Sequence, residues 1–231
     1  MMIKHYLKVA FRNLAKYKVQ SIVSILGLAV GFVCFALSTL WIRYEMTYDT
    51  FHEGAERIYL VRAHYAHEPG KISNSTPYPL ADYLQKGNPE IEAMASTSVQ
   101  KVKFRVKDTE KDVVSATADS VLMNFFNIRV LRGTVNFLKG TNGEIAITEE
   151  FSKRIFGEEE ALGREVEVSG HASKVGAIVS GWSSHSNIPY SILTSARHYT
   201  QWGSANENLF VRIRKGTNGE EFQKNCCSPY Q

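Results

Sequence analysis

The hydrophobic pattern changes character once along the chain, and the change divides it in two. From Val19 to Ile42 the sequence reads VQSIVSILGLAVGFVCFALSTLWI, with no charged side chain. At 1.5 Å rise per residue, a helix over 19–42 crosses a hydrocarbon core of about 30 Å. It also satisfies its own backbone groups inside lipid. Trp41, Tyr44 and Tyr48 stand at one end, where amphipathic rings favour the headgroup layer. Lys and Arg crowd the other end, which predicts a cytoplasmic N-terminus and an outward-facing chain beyond about Arg43. A cleaved signal peptide would have a shorter apolar region, about 7–15 residues, and a small-x-small site that Ala36-Leu37-Ser38 fits poorly. Cys34 follows bulky Phe32 and Val33, which argues against a lipoprotein signal. In residues 1–18, Ile3, Leu7, Phe11 and Leu14 recur at helical spacing beside Lys4, Lys8, Arg12 and Lys16. That predicts a basic amphipathic helix on the inner leaflet. Gly27 and Gly31 form a G-x-x-x-G pair, a candidate site for packing against another helix.

After the span, short period-2 runs alternate with short helical ones. Strands are expected over 57–65, 99–106, 112–118, 144–148, 166–168, 175–179 and 209–213. Helices are expected over 77–86, stopped by Gly87-Asn88-Pro89, and over 149–156, ended by Gly157. Ser120 is expected to cap a short helix running to Phe126, and 220–225 to form a last helix. Gly170 falls in the turn between two strands. The rhythm is that of a mixed α+β domain and not of a doubly wound sheet.

Charge and reactive residues narrow the function. The chain has 231 residues, 27 Lys+Arg and 23 Asp+Glu, for a net charge of +4. Six of the cations precede the first acid, Glu45, so residues 44–231 carry a net −2. The positive charge is thus local to the N-terminus, which argues against a nucleic-acid surface. Three cysteines do not make a disulfide framework, and Cys226 and Cys227 are adjacent, where a bridge is strained. His64 and His67, three apart on a strand, point to opposite faces and suggest no metal set. Ser183-Ser184-His185-Ser186 lacks a nucleophile elbow, and no phosphate-binding G-x-x-x-x-G-K-[ST] occurs. No catalytic residue, metal ligand or cofactor-binding residue is therefore expected, and the chain reads as a non-enzyme.

Five stretches in order carry a family resemblance: LKVAFRNLAKYKVQSIVSILGLAVGF at 7–32, YEMTYDTFHEGAERIYLVRA at 44–63, SVLMNFFNIRVLRGT at 120–134, IAITEEFSKRIFGEEEALGREVEV at 145–168 and SHSNIPYSIL at 184–193. Together they resemble the MacB/FtsX-like ABC transporter permeases, specifically the first membrane helix with the MacB-type periplasmic core. The resemblance implies a single N-terminal transmembrane helix followed by a two-lobed periplasmic α+β domain. Residues 43–118 with 206–231 would form a membrane-proximal lobe and 119–205 an inserted distal lobe. It also implies a bacterial inner-membrane location and a non-catalytic permease subunit or fragment that couples a separate cytoplasmic ABC ATPase, which binds the ATP, to the periplasmic head. A second permease copy or related permease, membrane lipid and periplasmic or outer-membrane proteins would be its partners. Asp49, Phe51, His52 and Arg57 would form the membrane–head junction, either transmitting motion or serving as an ordinary polar juncture. Full permeases of this type resemble four-helix proteins, so this single-span chain is expected to be a truncated, frameshifted or split permease. A signal-anchored extracytoplasmic sensor or ligand-binding module is the alternative.

Overall fold

In the computed structural model the chain divides into two units, Met1–Tyr48 and Asp49–Gln231. The structure describes residues 5, 6, 9, 12, 13, 16–49, 52–65, 70–107, 109–182, 186, 188–197 and 200–226. The first unit is dominated by helix α1, Lys18–Met46, which has no buried residue. Its most apolar window has a mean hydropathy of 2.3, and it is long and apolar enough to cross a membrane. The helix runs past the expected end at Ile42 because Arg43-Tyr44-Glu45-Met46 contains no breaker. Tyr44 meets Trp41 at 6.4 Å and Tyr48 at 5.6 Å between ring centroids, so the three rings cluster at one end of the helix. Of the amphipathic stripe, Arg12 and Lys16 are helical and exposed, whereas Ile3, Lys4, Leu7, Lys8, Phe11 and Leu14 lie outside the described residues.

The second unit is built on two larger sheets. The first contains β1 (Ile58–Leu60), β4 (Ser75–Pro77), β5 (Ile91–Thr97) and β13 (Ala205–Ile213), all antiparallel to β13. Phe210 pairs with both Leu60 and Ala95, so β1 and β5 lie on opposite edges of β13. The strand expected over 57–65 is broken: Arg57 belongs to a 3-10 turn, Ala55–Arg57, and the chain resumes as β2 (Ala63–His64), paired with β3 (Ile72–Ser73). One face of this sheet buries Ile91, Met94, Leu209, Val211 and Ile213 beneath Leu80 and Leu84 of α2 (Pro79–Gly87) and Phe222 of α5 (Gly219–Cys226).

The second sheet closes on itself. Its members are β6 (Val99–Val106), β7 (Thr109–Ala118), β9 (Glu144–Thr148), β10 (Glu165–Val168), β11 (His171–Val179) and β12 (Ile192–Ser195), with β8 (Val130–Gly133) on the end of β11. The pairing order β10-β6-β7-β12-β9-β11 returns to β10 through the β10–β11 hairpin, giving a six-stranded ring. Closure leaves the ring without a free edge. Its strands alternate as a closed sheet requires: in β6, Val102 and Phe104 point in while Lys101, Lys103 and Arg105 point out. A single buried cluster draws on all six strands, including Val113, Ile147, Val166, Val175 and Ile192, so the interior is filled by side chains. Phe151 of α4 (Glu149–Phe156) joins that cluster edge-on to Phe104, with centroids 5.0 Å apart. Helix α4 begins where the Thr148 side chain accepts the Phe151 N–H at 3.2 Å.

One turn and one close approach depend on glycine. Ser169 and Gly170, at φ 49 and 82, form the two-residue turn of the β10–β11 hairpin. Gly133, at φ 90, lets β8 approach β11 so closely that a Cβ there would sit 2.3 Å from the Gly176 carbonyl oxygen.

Between the ring and the four-stranded sheet lies a second core. Ala116, Ala118, Ala146 and Ala177 present small outward surfaces of the ring, and Leu122, Met123 and Phe125 of α3 (Ser120–Phe125) fill the same cluster with Ala95 and Phe210 of the other sheet. The cap of α3 is Asp119, not Ser120: the Asp119 carboxylate accepts the Leu122 N–H at 2.7 Å. Asp119 has the extended backbone that a cap requires, and Ser120 is already helical. Of the strands that fall within residues 43–118, β1, β4 and β5 belong to the four-stranded sheet, whereas β6 and β7 hydrogen-bond within the ring.

Candidate functional site

Asp49, His52 and Arg57, singled out in the sequence, all fall in the first turns of the second unit; Phe51 lies outside the described residues. Asp49 takes a left-handed backbone, φ 56, which Asp tolerates better than most residues. Its carboxylate accepts the Ser186 hydroxyl at 2.5 Å, and Ser186 in turn accepts the Ile188 N–H at 3.2 Å. This ties the start of the unit to the segment following β11.

His52 inserts into a cluster of aromatic rings. It is 4.9 Å from both the Phe126 and the Trp182 ring centroids. Phe126 meets Trp182 at 4.8 Å, Phe125 at 4.8 Å and Phe210 at 5.1 Å, all edge-on. Trp182 also meets Tyr190 at 5.0 Å. Edge-to-face pairs at such distances add about 0.5–1.5 kcal/mol each beyond area burial. The rings come from the opening segment, the end of α3, the segment after β11, and β13, so one cluster joins the ring, the four-stranded sheet and the start of the unit. Burial pushes the His52 pKa below the ordinary imidazole value; Asp49 opposes the shift and Arg212 adds to it. The Tyr190 hydroxyl donates to the Ser180 carbonyl at 2.9 Å, and burial raises its pKa strongly.

Arg57 acts as a cross-tie. Its guanidinium donates to Glu92 at 2.6 Å and to the Ile213 carbonyl at 2.9 Å, joining the 3-10 turn to β5 and β13. Arg212 stacks its guanidinium 4.4 Å from the Phe125 ring centroid and donates to the Phe125 carbonyl. Two recesses flank the ring cluster. One, of about 470 Å³, is bordered by Asp49, His52 and Ser186; the other, of about 990 Å³, by His52, Arg57 and Arg212. The structure therefore gathers Asp49, His52 and Arg57 into one region.

Phe126, Trp182, Phe210 and Arg212 complete this region and were not identified from sequence. Phe126 sits inside the 120–134 stretch that carried the family resemblance; Trp182 just precedes the 184–193 stretch. Gly27 and Gly31 are exposed on α1, and a Cβ at either would meet nothing within 4 Å. Among the described residues no group of three His, Cys, Asp or Glu is placed to hold a metal ion. Ser183, Ser184, His185, His67, Cys227 and the side chain of Cys226 lie outside the described residues, while Cys34 is an exposed free thiol on α1.

A family model described as the MacB-like periplasmic core domain matches residues 21–225. No curated protein matches the sequence. Among solved structures, a domain assigned to a permease protein of Porphyromonas gingivalis is similar, with a TM-score of 0.62 at 18% identity, covering 75% of this chain and 82% of that one. The extracellular domain of the noncanonic ABC-type transporter YknZ from Gram-positive bacteria matches with a TM-score of 0.52 at 15% identity, over 71% of this chain and 86% of that one. The periplasmic region of MacB from Actinobacillus actinomycetemcomitans matches with a TM-score of 0.51 at 12% identity, over 73% and 79%. At these identities the likeness is one of fold.

Proposed function

This chain belongs to the family of the MacB-like periplasmic core domain, and from that premise we propose that it is a non-catalytic membrane subunit of an ABC-type export or mechanotransmission system. Helix α1 crosses the bacterial inner membrane with its basic N-terminal segment in the cytoplasm, and the α+β unit stands in the periplasm. A separate ABC ATPase binds and hydrolyses the ATP, and a second permease, a copy or a relative, completes the membrane part. ATP-dependent differences in binding between two states supply the free energy for any movement of the head, since a ligand shifts an equilibrium only by its differential affinity.

The observation that carries this reading is the extent of the family match. It extends from residue 21, inside the apolar helix, to residue 225, in the last helix of the α+β unit. The Lys and Arg residues that precede the apolar run support the orientation, and the Trp41, Tyr44 and Tyr48 rings suit a headgroup layer at the C-terminal end of α1. In the second unit, Asp49–Ser186 and the His52 ring cluster supply a stiff start to the fold, which suits a junction that passes force.

Affinity purification of the full chain from membranes of its own host, after crosslinking, tests the coupling. An ABC ATPase subunit should co-purify, its yield should change on vanadate trapping, and deletion of residues 1–18 should reduce it. Recovery of the chain with no nucleotide-binding subunit under both conditions would overturn the proposal.

A further inference from the structure

The larger recess beside the ring cluster has an electrostatic character unlike the rest of its unit. Residues 44–231 together carry a net −2, yet the cleft of about 990 Å³ is bordered by Arg57, Arg129, Arg212, Arg214 and Lys215. Among the described residues two carboxylates, Glu53 and Glu92, share that border, and Glu92 is already taken by Arg57 at 2.6 Å. Arg214 donates to the Pro89 carbonyl at 2.9 Å and has no carboxylate partner among the described residues. Arg129 and Lys215 are exposed, and their side chains make no ion pair among the described residues. Like charges gathered this closely repel one another, and a concave wall focuses their field.

The floor of the cleft adds a second feature. Phe125, Phe126 and Trp182 border it, and among the described residues the buried Trp182 Nε1 and Arg212 Nε have no hydrogen-bond partner. Buried donors of this kind are costly to leave unmade and are satisfied when an acceptor arrives. A cleft of this volume is large for a bare ion and falls within the range of sites for small organic ligands, about 300–1,000 Å³. The surplus positive charge exceeds what a single carboxylate neutralises and suits a phosphate monoester, which carries about −1.5 to −2 at neutral pH.

We infer that this cleft binds a phosphate-bearing organic anion, its phosphate held by Arg129, Arg212 and Lys215 and its body lying against the Phe126–Trp182 edge. The phosphate can come from a soluble phosphomonoester or from the headgroup of an anionic lipid; guanidinium forks recognise both. The inference stands apart from ATPase coupling and can fail or hold independently of it.

The rate of Lys215 acetylation in the full chain, held in phosphatidylcholine nanodiscs and read by mass spectrometry, tests the site. Phenyl phosphate should slow acetylation of Lys215 saturably; phenol and phenyltrimethylammonium, with the same ring, should not. Arg129→Glu, on the surface, should weaken that protection by about tenfold without lowering the unfolding midpoint of the free chain, and raised salt should weaken it too. If nanodiscs containing phosphatidic acid protect Lys215 with no probe added, the phosphate comes from lipid; if only the soluble probe protects, it comes from solution. Absence of protection in both arms, or equal protection by the neutral or cationic ring compound, would overturn the inference.

Discussion

Phe126 touches more of the ring cluster than any other described side chain: His52, Phe125, Trp182 and Phe210 all meet it within 5.1 Å. It is 8% exposed, so its removal opens a cavity where three segments meet. Phe126→Ala should destabilise the second unit by about 3–5 kcal/mol, measured by guanidinium unfolding. His52 offers a titration of the same cluster. Its pKa is lower in the folded chain than in the unfolded one, burial being the largest cause. The unfolded chain therefore takes up more protons at mildly acid pH, and stability is full above the ordinary imidazole value of about 6.5 and declines as pH falls through it. The unfolding midpoint should drop between about pH 7.5 and pH 5.5, and His52→Phe, which keeps a ring in place but cannot charge, should flatten that part of the profile. An unchanged slope in the variant would remove His52 from the account. The sequence marked His52 and Asp49 through the family resemblance, but it could not show what they touch. Phe126, Trp182 and Phe210 are distant along the chain, and only the folding of β13 and α3 onto the ring brings them together.

The elements were legible wherever one face is buried and the other is wet. β6 from Lys101 onward and β10 alternate between exposed and buried positions, the turn at Gly170 is marked by its glycine, and α4 carries its own cap in Thr148. β3, β4, β5 and β12 were not foreseen. β5 reads IEAMAST, and its last four residues are all buried. Small residues between two cores leave no polar face and no β-branched run for a pattern to reveal. The Asp119 cap shows the other limit: Asp and Ser stand side by side, and only the backbone angles decide which residue lies outside the helix. Two changes probe this level. Thr148→Ala removes the acceptor for Phe151 N–H and should cost about 1 kcal/mol. Gly133→Ala should cost more, about 1–3 kcal/mol from overpacking with the strain of its left-handed backbone in addition, because the new Cβ would meet the backbone of β11. Equal stability of Gly133→Ala and the parent would mean that β8 does not approach β11 as described.

The whole molecule combines one apolar helix with a fold shared by permease extracellular and periplasmic domains. The division into an apolar span and an α+β unit was plain from the sequence, since a charge-free run of that length has few other uses. The closed six-stranded ring was not, because closure depends on β10 pairing with both β6 and β11, a long-range choice that local patterns do not encode. The proposed function requires α1 to stay in the membrane and hold the α+β unit on its outer side. The most direct measurement combines alkaline carbonate washing with protease digestion of spheroplasts and of inverted membrane vesicles. The chain should remain in the membrane pellet, and residues 49–231 should be cut in spheroplasts and protected in inverted vesicles. Release by carbonate, or digestion of that unit only from the cytoplasmic face, would contradict the claim.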